Sequence, residues 1–400
     1  MDTITHGIAG ALIGKAVFRG RDLFSGPKEM QKRRLISWAV GLGAVFPDAD
    51  TFRDMLSSDP MLLITWHRSI THSLLMLPIW SVLLAGATAV IARWRKWEAP
   101  SFVMLTGLYA AGILSHIVLD LLTSFGTMIW SPLEWARTSW DILFIVDFTF
   151  TGIVLIPQLL AWIYESPERA AKRAIILWVV FTPVPLIIAR IAVAAGTPIS
   201  KTAVLLAMVL MAVIFILPAG RGWGQRVSYA AWNRAGLAVA VVYVLAATVA
   251  HHQAFDKVKQ FAAEQKLDVT AIGALPLPPS LLNWDGLVRA PRGVYEIRID
   301  LSDTLGKSEA EPGDVITRTY YPDSPPNKYI ELAEQLPEVQ KMLWFARFPV
   351  TQFHQEGKDG VVEISDKRFV QIRRDRPGAF TYRVRFSADG KVISQGWERE

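Results

Sequence analysis

The chain contains no cysteine in 400 residues. That excludes disulfides, thiolate metal ligands and a cysteine nucleophile. Any metal site must be built from imidazole, carboxylate and water, a donor set that suits zinc, manganese, iron or magnesium better than a soft-metal centre. An oxidising compartment is compatible with this lack but not implied by it. Charge is scarce as well: 20% of residues are charged, against 52% hydrophobic. No basic segment precedes the first apolar stretch, and Asp2 and His6 sit inside it, so it does not read as a signal peptide. Histidine is sparse too. Four of the seven, His6, His67, His72 and His116, fall before residue 121, each beside an apolar run.

Those apolar runs dominate the first 250 residues. Residues 73–92, 101–123, 142–163, 174–195, 202–219 and 228–250 are long and nearly uncharged, which predicts transmembrane helices. Residues 4–18 form a shorter apolar helix whose Gly and Ala content suits close packing in lipid, and residues 35–46 read as a partial span. Lys/Arg clusters at 19–34, 93–96, 169–173 and 221–226 fall at alternate helix ends. The positive-inside rule puts all four in the cytoplasm, and so the N-terminus and residues 252–400 outside. In residues 252–400 basic and acidic side chains nearly balance, so the net charge of +6 resides in the membrane half and gives no support for nucleic-acid binding. Strand-like alternation follows in GVYEIRIDL, DVITRTYY, GVVEIS, FVQIRR and FTYRVRF, with a helical stretch at 328–346. The expected fold is mainly α: a polytopic membrane helix bundle of about eight spans with a C-terminal extracytoplasmic α+β domain. Residues 1–251 are the bundle, 252–279 a helix and Pro-rich linker (ALPLPPS), and 280–400 the α+β domain.

With this topology the polar residues of the first third all reach the outer side. His116 and Asp120 in SHIVLDLLT are four apart and share one helix face, where they can bind one ion or two adjacent ions. Asp120 inside an apolar span is costly unless paired. His67 and His72 in WHRSITHS are five apart, about 140° around a helix, and bind together only if His67 lies in the preceding loop. Asp48 and Asp50 in FPDAD can turn toward one point. Asp141 and Asp147 lie at the start of the 142–163 run and within it. Each residue alone also has a plain reading: a hydrogen-bonded interior histidine, a buried ion pair, a turn cap for Asp48 and Asp50, a headgroup contact for Arg68. What argues for a site is the whole set on one side. His251, His252 and His354 show no ligand spacing.

ITHGIAGALIG, FPDAD, HRSITHS and SHIVLDLLTSFGT, in this order, resemble the YdjM-type family of bacterial inner-membrane proteins, which are predicted to be metal-dependent hydrolases. The resemblance covers roughly residues 1–150. It implies His6, Asp48, Asp50, His67, His72, His116 and Asp120 as metal ligands, with Asp141 and Asp147 in second rank. The expected function is metal-dependent hydrolysis at the outer face of the inner (plasma) membrane. The expected metal is zinc, one or two ions, with manganese or iron as the other options. The expected partners are membrane lipid and a lipid or envelope phosphoester substrate. Asp50 or Asp120 would take a proton from water, and Arg68 would neutralise a phosphoryl oxygen. The rival expectation is a non-enzymatic metal-binding membrane scaffold or a transporter, or a bundle that only anchors the outer domain. A transporter would carry its polar groups near mid-membrane in repeated halves. The geometric expectation is that the seven first-rank side chains converge and open to the outer face through a cleft.

Overall fold

The computed structural model describes residues 1–18, 27–194, 200–278, 280–302, 315–369 and 379–398. Much of the first basic loop and nearly all of the FVQIRR run therefore lie outside the described residues. The membrane half contains α1 (Thr3–Ile13), α2 (Pro27–Val45), α3 (Thr51–Leu56), α4 (Leu62–Thr65), α5 (Leu77–Arg95), α6 (Phe102–Leu121), α7 (Phe148–Tyr164), α8 (Ala170–Phe181), α9 (Pro183–Ala194), α10 (Lys201–Gly220) and α11 (Tyr229–Glu264). Among the described residues, five helical stretches are long and apolar enough to cross a membrane: α5, α6, the α8–α9 stretch, α10 and α11. The 174–195 run is broken at Pro183, whose ring cannot continue the helical hydrogen bonding.

Helices α1, α2 and α6 are pressed together by glycine. A Cβ added at Gly10 would lie 2.4 Å from Ala44 Cβ, and one at Gly112 would lie 2.3 Å from the Val40 carbonyl oxygen. Only residues without side chains allow backbones this close, the small-residue packing expected of helices in lipid. The approach decides where the polar residues end. It brings the start of α1, the 3-10 turn Phe46–Asp50 that follows α2, and the end of α6 to one place.

Helix α7 starts later than the apolar run suggests. The expected span begins at residue 142, but the helix begins at Phe148 and Asp147 is its N-cap, accepting from the Thr149 and Phe150 amides. The cap carboxylate satisfies orphan donors of the first turn and so fixes the start.

Beyond the bundle, α11 runs without interruption into the C-terminal domain. Two four-stranded antiparallel sheets form that domain: β1 (Ala271–Leu277), β2 (Asn283–Ala290), β3 (Gly293–Asp300) and β4 (Val315–Pro322), then β5 (Pro349–Glu356), β6 (Asp359–Asp366), β7 (Thr381–Phe386) and β8 (Val392–Trp397). Between them lie α12 (Lys328–Glu334) and α13 (Pro337–Phe345). The expected Pro-rich linker is a correction: most of ALPLPPS is strand, with Pro276 opposite Trp284. Strand β1 is an edge, where a missing amide donor is tolerated. The end of α11 packs Ala254, Val258 and Phe261 against Trp284, Val288 and Ile297 of the first sheet. The second sheet shares a core with Met61, Ile64 and Phe125 of the membrane half.

Candidate metal centre

The seven first-rank residues meet. The His6 and His116 rings stack with centroids 3.6 Å apart, and the His116 and His72 centroids are 4.8 Å apart. His67 Nδ1 lies 2.8 Å from Asp50 Oδ1, and Asp50 Oδ2 lies 3.4 Å from His72 Nδ1. His67 does lie in the irregular stretch after α4, and His72 ends a 3-10 turn, which lets both rings face Asp50.

Three atoms, His72 Nε2, His116 Nε2 and Asp48 Oδ1, are close enough together to share a cation, and Asp120 Oδ2 lies near both rings. His72 Nε2 and His116 Nε2 are 3.0 Å apart. Asp48 Oδ1 lies 3.5 Å from each, and Asp120 Oδ2 lies 3.4 Å from each. Tetrahedral zinc with bonds of about 2.05 Å separates neighbouring ligand atoms by about 3.3 Å. Asp48, His72 and His116 form one group of possible ligands, and His6, His116 and Asp120 a second that shares His116. The donors are nitrogen and carboxylate oxygen, the set zinc accepts. Asp120 Oδ2 and His6 Nδ1 are buried without a hydrogen-bond partner. Orphaned polar atoms at such a place need an explanation, and a divalent cation on Asp120 Oδ2 supplies one for that oxygen. The residues fit the metal.

The other oxygen of Asp120 is engaged. Oδ1 accepts from the buried Met1 α-amino group, lies 3.0 Å from Arg68 Nη2 and is 3.1 Å from His6 Nε2. Burial, then Arg68, push the Met1 amine down to about 6, with Asp120 opposing. Thr3 donates to Asp48 Oδ2. Burial alone would raise the Asp48 carboxyl, but the His116 and His72 imidazoles outweigh it and hold it well below the ordinary carboxylate range. For Asp50, burial is likewise outweighed by His67, His72 and the Arg68 amide, so its carboxyl is also held low. Burial pushes His72 down to about 4, the neutral form a metal ligand needs.

Asp50 faces the Nδ1 sides of His67 and His72 and also accepts from the Arg68 amide and Thr71. It sits behind the rings as an orienting partner, the arrangement typical of outer-sphere carboxylates. Both of its oxygens are occupied. Arg68 has φ of 64°, a left-handed conformation that costs a non-glycine residue roughly 1–3 kcal/mol and recurs at functional sites.

Asp141 and Asp147 are not in this cluster. Asp141 pairs with Arg347 of the C-terminal domain at 2.7 Å. Asp147 caps α7 and accepts from Tyr243 (2.8 Å) and Ser280 (2.7 Å). His251 packs on Phe255 and Trp284, His252 faces the Thr248 carbonyl, and His354 pairs with Glu356 on a strand. The expected cleft is not seen. His6, His72, His116 and Asp120 are fully buried, and the most open side chain of the set is His67, at 13%. The reason is the C-terminal domain: Phe345, Phe369 and Phe380 close around Phe125, five residues beyond Asp120.

Several contributors were not legible as site residues: Met1, Thr3, Thr71, Thr123 and Arg137. Arg137 donates to the carbonyls of Gly126 (2.8 Å), Ile64 (2.7 Å) and His67 (2.8 Å), so it staples the turn that carries His67. Burial, then Arg68 and Arg368, push it down to about 9. Its position in WARTSW carries no signal of this.

Comparison with known proteins gives the same N-terminal unit. Residues 1–195 match the description YdjM inner membrane protein. Over these residues the chain belongs to the YdjM inner membrane protein family. No curated protein and no solved structure matches the chain. With five helices of membrane-crossing length, the YdjM match marks an inner-membrane protein. It ends before α10, so the C-terminal sheets lie outside the matched region.

Proposed function

We propose that this YdjM-family protein is a multi-pass, metal-dependent hydrolase whose site lies at the outer membrane–water boundary. The observation that carries the reading is the close approach of His72 Nε2, His116 Nε2 and Asp48 Oδ1, within 3.0–3.5 Å of one another, beside a second group of His6, His116 and Asp120. Asp48, His72 and His116 would hold the first cation, zinc by their chemistry, and His6 with His116 and Asp120 would serve a second. When bound, a divalent cation supplies Lewis acidity to an ester or phosphoryl group and makes water more acidic. The chain's own residues do the rest. Asp50 holds His67 by Nδ1, which leaves Nε2 to accept a proton from the attacking water. We assign this role to His67 rather than to Asp50 or Asp120, whose oxygens are engaged. Arg68, held by Asp120 and Thr123, presents positive charge beside the ligand atoms. Helices α1, α2, α5, α6, α7, α8–α9, α10 and α11 would make eight crossings, with the N-terminus and both sheets outside.

A second reading rests on one observation: the ligand atoms are sealed. Closed sites hold structural metal, so a metal-binding scaffold is the competing function. Elemental analysis of chelator-free, detergent-purified full chain decides the metal. Metal-dependent release from phosphodiester and carboxyl-ester probes decides the chemistry. Stoichiometric metal with no turnover in any probe would leave the scaffold.

A further inference from the structure

We propose that the structure holds a phosphoryl-oxyanion seat beside the ligand cluster, formed by Arg68 Nε, Ser69 Oγ, Thr127 Oγ1 and Arg137 Nε. It deepens the hydrolase reading by naming the substrate class, a phosphoester. All four are buried atoms that can donate, and none has a hydrogen-bond partner among the described residues. Arg68, Ser69 and Thr127 are themselves 2%, 1% and 0% exposed. Leaving such a donor unmade is costly, so four on neighbouring segments call for an acceptor.

They are neighbours through the backbone. The Met128 amide donates to the Arg68 carbonyl (2.9 Å), and Thr127 and Thr138 exchange backbone bonds at 2.9 and 3.0 Å. Arg137 ties Gly126 to His67. The Arg68 and Arg137 guanidinium carbons lie 5.0 and 4.9 Å from the centroid of the same ring, Phe125. The seat's own charged groups are both cationic, with Asp50 and Asp120 nearby. Arg137 pairs with no carboxylate among the described residues, and the only one pairing with Arg68 is Asp120, whose Oδ1 also serves the Met1 amine and His6. Two guanidiniums and two hydroxyls suit a phosphoryl group, with its three strong acceptor oxygens, better than a two-oxygen carboxylate. The backbone at Arg68, with φ of 64°, and at Ser69, with φ of −106° and ψ of −110°, is bent away from the common regions where the seat forms.

The test uses full-length protein in detergent, with inorganic phosphate and a short-chain phosphatidate in mixed micelles as separate probes. Binding is followed by calorimetry and thermal shift, and metal content is measured on the same samples. Wild type should bind at least one probe; phosphatidate without phosphate would assign the seat to a lipid headgroup. Ser69→Ala and Thr127→Val should each weaken that binding roughly tenfold, the loss of one hydrogen bond to a charged group. Arg137→Gln should weaken it further. That variant also loses the staple on the His67 turn, so the two hydroxyl variants carry the decision if it misfolds. No binding of either probe, or binding that all three variants leave unchanged, overturns the seat. Metal present with neither probe bound sinks the seat alone, whereas binding of either probe without metal sinks the hydrolase reading alone.

Discussion

His116 is the one side chain shared by both candidate ligand groups. His116→Ala should therefore lower metal affinity by more than the roughly 10–100-fold typical of losing an outer partner. Asp50→Asn should fall within that smaller range, because it releases His72 and His67 without removing a ligand atom. Equal metal content in all three proteins after competition with a chelator would reject the assignment. Asp147 makes a useful contrast. Its carboxylate caps α7 and satisfies Tyr243 and Ser280. Asp147→Ala should cost about 2–4 kcal/mol, a lost cap plus two orphaned hydroxyls, and leave metal bound. A lowered melting temperature with unchanged metal content is the expected result. At this scale the sequence exposed the residue types of the cluster but not their division of labour. His, Asp and Arg are visible as letters. Whether Asp50 ligates or orients depends on which face of His72 it meets, and a 22-residue spacing says nothing about that.

At the scale of elements, long apolar runs carried the prediction well for α5, α6, α10 and α11, because burial in lipid demands them. The reading failed where a tertiary partner sets the boundary. Helix α7 begins at a cap held by α11 and residue 280, and β1 is a strand because β2 pairs with it despite its prolines. The partners of the α7 cap, Tyr243 and Ser280, are far from it in sequence, whereas β2 is close to β1 but its pairing is masked by the prolines. Crossing geometry was likewise hidden, although it builds the site. Gly112 touches no candidate ligand, yet the contact it allows lets the His116 ring reach the Ala44 carbonyl at 2.7 Å. Gly112→Leu should push α2 from α6, abolish metal retention and lower thermal stability, while Gly107→Leu, in open space on the same helix, should do neither. Metal retained in the Gly112 variant would show that the helix contact does not position the site.

For the whole molecule, the hypothesis of an outward N-terminus and outward sheets rests on alternating basic loops. Reporter fusions near residue 30 and at residue 400 should report opposite sides of the membrane, and same-side signals would reverse the model. The C-terminal domain also touches the bundle through Arg347 and Asp141, Arg368 and the Ser124 carbonyl, and Trp397 and the Pro60 carbonyl. Its rigid link is α11. Thirty-six residues make a rod about 54 Å long, against a hydrocarbon core of about 30 Å. It is thus roughly 24 Å longer than that core is thick, and its last turns pack on the first sheet. Two residues inserted after His252 would turn the domain by about 200° relative to the bundle, whereas seven would restore its phase to within about 20°. The out-of-phase insertion should expose Phe125 to solvent-borne quenchers or proteases. The in-phase one should lift the domain by about 10 Å along an unchanged bearing.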